Sequence, residues 1–218
     1  ILKSMLAEGR ILLGTSRGIF AVSEDGAPGG QWTISSLLPE SSHSVHMFSA
    51  INDQVFAAGS DGLYLVSEKH AELIDIGSFT GILAIRQGSV LTSGDKGIVL
   101  YNNDKSGWVS SSIDPFLQNA HSFMSFKNNI FLLCNNSVYQ SNDKADRINQ
   151  VPFHSDELLY KLLQVEEDLL LISSVQVYRY DWNEEIFHPL HLDQDSLPGL
   201  ILYLKRGSGW RCNSSPEK

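Results

Sequence analysis

The segment QVFAAGSDGLYLV, residues Gln54–Val66, runs an apolar stretch into a small polar turn and out into a second apolar stretch. Val, Phe, Leu and Tyr favour extended backbone, and Gly-Ser-Asp-Gly tolerates the tight reversal between them, so the segment reads as a β-hairpin. The same plan recurs at RILLGTSRGIFAV (Arg10–Val22), SVLTSGDKGIVLY (Ser89–Tyr101), NIFLLCNNSVYQS (Asn129–Ser141) and DLLLISSVQVYRY (Asp168–Tyr180). Aligned on the residue that closes the first apolar run, the anchors are Gly14, Gly59, Gly94, Cys134 and Ser173, at steps of 45, 35, 40 and 39 residues.

A period near forty built from short β-rich runs is the mark of four-stranded propeller blades. Leucine-rich repeats are shorter, and helical solenoids of similar period carry i, i+3, i+4 stripes that are missing here. The one helix-like stretch, DELLYKLLQVEEDLLL (Asp156–Leu171), begins where other repeats place HMFSAIN (His46–Asn52) and HSFMSFK (His121–Lys127). Repeat context therefore makes LLYKLLQV a first strand.

The expected fold is an all-β propeller of four-stranded blades, with five full repeats and the first two strands of a sixth. It occupies residues 1–218 as a single domain, with repeats at about 1–43, 44–78, 79–118, 119–157, 158–198 and 199–218. In the first repeat the strands fall near Lys3–Ala7, Arg10–Gly14, Gly18–Val22 and Gln31–Ser35. The sixth rests on LILYLKRG and WRCNS, which place Asn213 forty residues after Ser173. This makes the sequence an expected piece of a longer propeller, unless those strands complete the ring.

The pairs Glu8-Gly9, Asn52-Asp53, Gln87-Gly88 and Asn128-Asn129 supply the positive φ that first hairpins require. The third-strand aromatics Phe20, Tyr64, Tyr101, Tyr139 and Tyr178 are expected between blades, with Trp32, Trp108 and Phe187 as outer wedges.

Composition narrows the function. The formal net charge is −9 with no Lys/Arg run, which argues against nucleic acid as a partner. Cys134 and Cys212 lie far apart and in no C-x-x-C pattern, so they read as small thiols rather than a metal or redox pair. Apolar runs such as LLLIS are too short to span a bilayer, so no direct membrane insertion of this segment is expected.

At GTSRGIF (Gly14–Phe20), GSDGLYLV (Gly59–Val66) and VQVYRYDWNEEIFHPL (Val175–Leu190) the repeats resemble the two-component regulator propeller family. The shared features are a small-residue turn, Gly-Leu-aromatic, a hydrophobic-Tyr-Asp strand end and a downstream aromatic. Cys134, Ser173 and Gln176 stand where that pattern has glycines, and its acidic turn and Trp before the second strand are missing. A weaker resemblance is to the Asp-box of sialidase-like propellers, at SEDGAPGGQW (Ser23–Trp32) and SNDKADRIN (Ser141–Asn149). An Asp at a third-to-fourth strand turn accepts backbone N–H groups and holds the hairpin shut, a structural role. The first resemblance implies an extracytoplasmic sensor segment of a longer signalling protein; without it the chain reads as cytoplasmic.

In blades of this strand order, the second-to-third strand turns and the inter-blade loops share one end, the propeller mouth. The turns bring Arg17, Asp61, Lys96 and Asn136 there; the loops bring Glu40, His43, His46, Asp114, His121, His154, Asp156, Asp193 and Asp195. From these, Arg17, His46, Asp61, Lys96, His121, Asn136 and His154 form the candidate binding set for a small ligand or protein partner. His46 and His121 hold equivalent positions but stand two repeats apart, and the repeat between offers Gly81, so no metal is expected. Nucleophile elbows and phosphate-cradling Gly loops are absent, and no catalytic residue or cofactor is assigned. The expected function is non-enzymatic ligand or protein binding, which the resemblance makes the sensor part of a larger signalling protein. The alternatives are a sialidase-like hydrolase, which needs converging arginines or paired acids, and a scaffold subunit.

Overall fold

The fold is given by a computed structural model, which describes residues 1–7, 9–24, 30–38, 44–153 and 155–190. The proposed sixth repeat and His154 lie outside the described residues, as do Glu40, His43, Asp193 and Asp195. The chain divides into two compact units, Ile1–Gln150 and Val151–Lys218.

The first unit holds four antiparallel sheets, each in sequential strand order. The first comprises β1 (Lys3–Ala7), β2 (Arg10–Thr15), β3 (Gly18–Glu24) and β4 (Trp32–Ser36). The second has β5 (Val45–Ile51), β6 (Gln54–Gly59), β7 (Leu63–Val66) and β8 (Ala71–Asp75), and the third has β9 (Phe79–Arg86), β10 (Ser89–Gly94), β11 (Gly97–Asp104) and β12 (Gly107–Asp114). The fourth comprises β13 (Ser122–Phe126), β14 (Asn129–Cys134), β15 (Ser137–Asn142) and β16 (Ile148–Gln150). In the second unit, β17 (Leu159–Val165), β18 (Asp168–Ser173), β19 (Val177–Asp181) and β20 (Ile186–Pro189) form a fifth sheet of the same order.

The repeat reading survives residue by residue. Second strands end at Gly59, Gly94, Cys134 and Ser173, four of the five anchors, while β2 runs one residue past Gly14. The helix-like stretch is strand β17, because its partner β18 supplies the hydrogen bonds a lone helix would have made internally. Each expected first-hairpin pair supplies one positive-φ residue: Gly9, Asn52, Gly88 and Asn128.

Sheet faces explain why the second strands β6, β10 and β14 are buried almost end to end, whereas β2 alternates. Along β6, Val55 and Ala57 share a cluster with Leu12 and Ile19 of the first sheet, whereas Phe56 and Ala58 share one with Val90 and Tyr101 of the third. Leu91 and Ile98 in turn cluster with Ile130 and Leu132 of the fourth. A strand buried on both faces loses the period-2 pattern. Polar clamps reinforce the stack. Arg10 donates to the carbonyls of Glu68 (2.6 Å) and Ser67 (2.9 Å), the Ala84 N–H reaches Ser49 Oγ (2.8 Å), and Gly88 N–H reaches Gln54 Oε1 (2.6 Å).

One packing expectation fails. Trp108 meets Phe56 edge-on at 5.7 Å and Phe187 is buried, but Trp32 is 58% exposed. Trp32 lies on the same face of the first sheet as the cross-strand row Leu6–Ile11–Val22–Ile34, of which Leu6 is 77% and Ile34 70% exposed. Within the first unit no sheet covers that face.

Candidate binding site at the turn end of the sheets

Strand register defines the end at which a site can form. Each first strand begins beside its anchor: Lys3 faces Gly14, Val45 faces Gly59, Phe79 faces Gly94, Ser122 faces Leu133 and Leu159 faces Ser173. Fourth strands finish there too, with Ser36 opposite Phe20, Asp75 opposite Leu63 and Asp114 opposite Ile98. Second-to-third strand turns and the loops between sheets therefore share one end of each sheet.

Glycine anchors let the loop that leads into each sheet's first strand close over that end. A Cβ on Gly59 would stand 1.7 Å from the Ser44 carbonyl oxygen, and one on Gly94 would stand 2.0 Å from that of Ser78. Those carbonyls accept the N–H groups of Ser60 (3.0 Å) and Asp95 (3.1 Å), tying each inter-sheet loop to the turn it crosses.

Within the first unit, the ends of the second and third sheets frame a cavity of about 500 Å³. Ser60 and Asp61 come from the β6–β7 turn, Tyr64 and Leu73 from β7 and β8, Ile76 from the loop after β8, and Asp95 from the β10–β11 turn. Gly62 leaves room for the Tyr64 ring, since a Cβ there would stand 2.7 Å from its Cζ and hydroxyl. Burial and the Asp61 charge push the Tyr64 phenol above its ordinary value, so it stays protonated.

Beside the cavity Lys96 Nζ meets Asp75 Oδ2 at 2.5 Å and the Ile76 carbonyl at 3.1 Å. The Tyr101 hydroxyl donates to the same carboxylate oxygen at 2.6 Å. Burial alone raises the Asp75 proton affinity, but the hydrogen bonds from Lys96 and Tyr101, the Lys96 charge and the Ile76 N–H together outweigh it, and the carboxyl lies below its ordinary value. Burial, then Asp75, raise the Tyr101 phenol strongly.

The sequence-derived candidates separate. Asp61 lines the cavity and Lys96 flanks it, bound to Asp75. His46 projects from β5 to place Nε2 3.2 Å from the Phe79 carbonyl, bridging to the third sheet. Arg17 is exposed on the β2–β3 turn, where its N–H donates to Thr15 Oγ1 at 3.0 Å. His121 is exposed with its backbone N–H bonded to the Leu133 carbonyl at 3.1 Å, and Asn136 sits in the β14–β15 turn at φ +62°. At Gly81, the position equivalent to these histidines, a Cβ would meet the Phe123 ring at 2.0 Å. No cluster of three metal-ligating side chains occurs among the described residues.

Sequence reasoning missed Asp95, adjacent to Lys96 in the same turn, and Asp75, the counterpart of Asp114 at a fourth-strand end. Tyr64 was expected as packing alone, yet it both packs and lines the cavity. Asp25 of the first Asp-box-like stretch lies outside the described residues, and among the described residues Asp104 and Asp181 take the Asp role in third-to-fourth strand turns. Asp104 Oδ1 accepts from the Ser106 N–H at 2.7 Å, and Asp181 Oδ1 from Asn183 at 2.8 Å and Glu184 at 3.1 Å. In the second Asp-box-like stretch Asn142, not Asp143, is the turn acceptor, at 3.1 Å from the Lys144 N–H.

No family model matches the chain, and no curated protein matches it. Solved structures do. The extracellular domain of the hybrid two-component system BT4673 from B. thetaiotaomicron superposes with a TM-score of 0.66 at 14% identity, over 89% of this chain and 28% of that one. YCF48 from Cyanidioschyzon merolae gives 0.63 at 10% identity, over 89% and 72%. Apo AztD from Citrobacter koseri gives 0.59 at 9%, over 88% and 58%. This chain thus spans 28% of the length of the BT4673 domain. In its fold it resembles the extracellular domain of a two-component system.

Proposed function

We propose that this chain is a non-enzymatic binding segment of a β-propeller that recognises a small ligand or protein partner at the turn end of its sheets. The observation that carries the reading is the cavity framed by Asp61, Tyr64, Ile76 and Asp95, set on strands clamped by backbone bonds. Loops held on a rigid scaffold are where recognition concentrates. The likeness to an extracellular domain of a two-component system supports a sensor role in a longer, extracytoplasmic signalling protein. On this reading residues 1–218 belong to one propeller whose sixth repeat begins at about residue 199.

No helix among the described residues is long and apolar enough to cross a membrane. Nothing in the arrangement calls for a cofactor, and the net charge of −9 disfavours nucleic acid. A hydrolase would need converging arginines or a carboxylate pair divided into acid and base. The cavity lining brings Asp61 and Asp95 but no arginine. An aryl-glycoside assay separates the readings: turnover lost in both Asp61→Asn and Asp95→Asn would favour the enzyme.

The binding reading is tested by thermal-shift screening of glycans, amines and organic acids against the purified chain. Hits should weaken in the turn-end variants Arg17→Ala, Asp61→Asn and Lys96→Ala and persist in Asp53→Ala and Lys105→Ala at the opposite end. The reverse pattern would sink it.

A further inference from the structure

Resting on the reading that the turn end is a recognition surface, we propose that it docks a second copy of this chain, with Phe116 of each copy seated in the other's cavity between the second and third sheets. Phe116 stands in the loop between β12 and β13 and is 87% exposed. The loop nonetheless holds its backbone on both sides. Its N–H donates to Asp114 Oδ1 at 2.9 Å, and its carbonyl accepts from the Gln118 N–H at 3.0 Å. Gln118 is tied in turn: its Nε2 donates to the Asp95 carbonyl at 3.2 Å and its carbonyl accepts from Cys134 Sγ at 2.8 Å. An apolar side chain displayed on a fixed backbone loses little ordering entropy on docking.

A projecting ring calls for a hole, which a small ligand cannot offer and a concave protein surface can. Aromatic anchors seated in such pockets dominate the energetics of protein interfaces. The same end of this chain carries one: the cavity of about 500 Å³ walled by Tyr64, Leu73 and Ile76 has room for an aromatic side chain. Its Ile76 wall is fixed as Phe116 is, with the N–H on Asp75 Oδ1 at 2.8 Å and the carbonyl on Lys96 Nζ at 3.1 Å. Knob and hole flank one turn. Asp95 lines the cavity, and its carbonyl receives Gln118 from the loop that carries Phe116. A two-fold axis through that turn brings each Phe116 to the other copy's cavity, the reciprocal contact of an isologous interface. The adjacent opposite charges of Asp95 and Lys96 suit the same axis, since each can face its opposite across it. A lipid surface fits less well, because seating Phe116 there would draw the Asp95 and Asp114 carboxylates out of water.

Sedimentation velocity on the whole chain, from about 5 to 500 μM, measures the dimer. The contact is small, so a Kd on the order of 50 μM is expected. Phe116→Ala removes the knob and Ser78→Trp fills the hole from its wall; each should weaken the dimer at least about tenfold with the melting temperature in place. Mixing the two variants should recover a dimer that neither forms alone, because one knob then meets one open cavity. Methyl NMR signals of Leu73 and Ile76 should move on dilution of the wild type and stay still in Phe116→Ala, a readout that does not depend on Ser78→Trp folding. A monomer throughout the concentration range overturns the inference, and so does a dimer that Phe116→Ala leaves intact. Loss of such a dimer in Leu6→Ser would place it on the exposed face of the first sheet instead. Binding to phosphatidylcholine vesicles that Phe116→Ala abolishes, with no dimer in solution, would assign Phe116 to a lipid surface and also overturn it. The broader reading fails separately, when screened ligands ignore the turn-end variants altogether.

Discussion

The second and third sheets solve the anchor position in one way and the fifth sheet in another. At Gly59 and Gly94 the crossing carbonyls of Ser44 and Ser78 come within 1.7 and 2.0 Å of where a Cβ would stand. In the fifth sheet Ser173 occupies the anchor, yet the equivalent latch forms, with the Ser174 N–H donating to the Leu158 carbonyl at 2.8 Å. The serine hydroxyl turns into its own hairpin, donating to the Gln176 carbonyl at 2.8 Å and contacting Glu157. Gln176, a second departure from the glycine pattern, donates from Nε2 to Glu157 Oε1 at 3.0 Å and to the Tyr178 hydroxyl at 2.6 Å. The fourth sheet is intermediate: Cys134 fills the anchor and its Sγ reaches the Gln118 carbonyl at 2.8 Å. Glycine is thus one of two ways to close the end. A small polar side chain serves when its partners change with it.

The largest effect that sharpens this contrast is Gly59→Ala. Its Cβ would meet backbone, which cannot swing aside, so a loss of about 3 kcal/mol or more in urea unfolding is expected. A loss below about 1 kcal/mol would mean that the loop retreats freely and that the contrast with Ser173 is empty. Cys134→Gly should cost about 2 kcal/mol, because it empties a fully buried site and removes the thiol contact with Gln118. Wild-type stability in that variant would show that glycine and side-chain anchors are interchangeable in both directions.

In the fifth sheet, Ser173→Gly and Gln176→Gly should each destabilise by about 1 kcal/mol and couple by about 1 kcal/mol in a double-mutant cycle. Additivity would show that the two departures arose independently of Glu157. The smallest effect concerns Asp181, whose bonds from the Asn183 and Glu184 N–H groups hold its carboxyl below the ordinary 3.8. A carboxyl depressed in the folded state adds stability above its unfolded pKa, and that increment disappears as pH falls through the lower folded value. Asp181→Asn should therefore reduce stability at pH 7, with the gap from wild type shrinking as pH falls through the lowered folded value in acid-titrated melts. A gap that stays constant with pH would assign the effect to packing.

The fold was legible because repetition is robust to local ambiguity. LLYKLLQV taken alone passes for an amphipathic helix, and only its place in the period makes it the strand β17. Turn chemistry was legible for the same reason, down to Asn52 and Asn128 in the left-handed region. The candidate site was legible by end rather than by residue. Arg17, Asp61 and Lys96 were placed correctly in second-to-third strand turns, but only Asp61 reaches the cavity lining. His46 is spent on the Phe79 carbonyl, an interaction between sheets that carries no sequence signal.

The sequence by itself determined the strand count per repeat, the hairpin turns, the anchors and the acidic balance, since each depends on neighbours in the chain and their intrinsic backbone preferences. Tertiary structure alone decided what the turn-end residues do. Whether Lys96 meets a ligand or Asp75, and whether Tyr64 packs or lines a cavity, depends on the adjacent sheet. The exposure of Trp32 follows the same rule, because a side chain is buried only where another sheet lies against it.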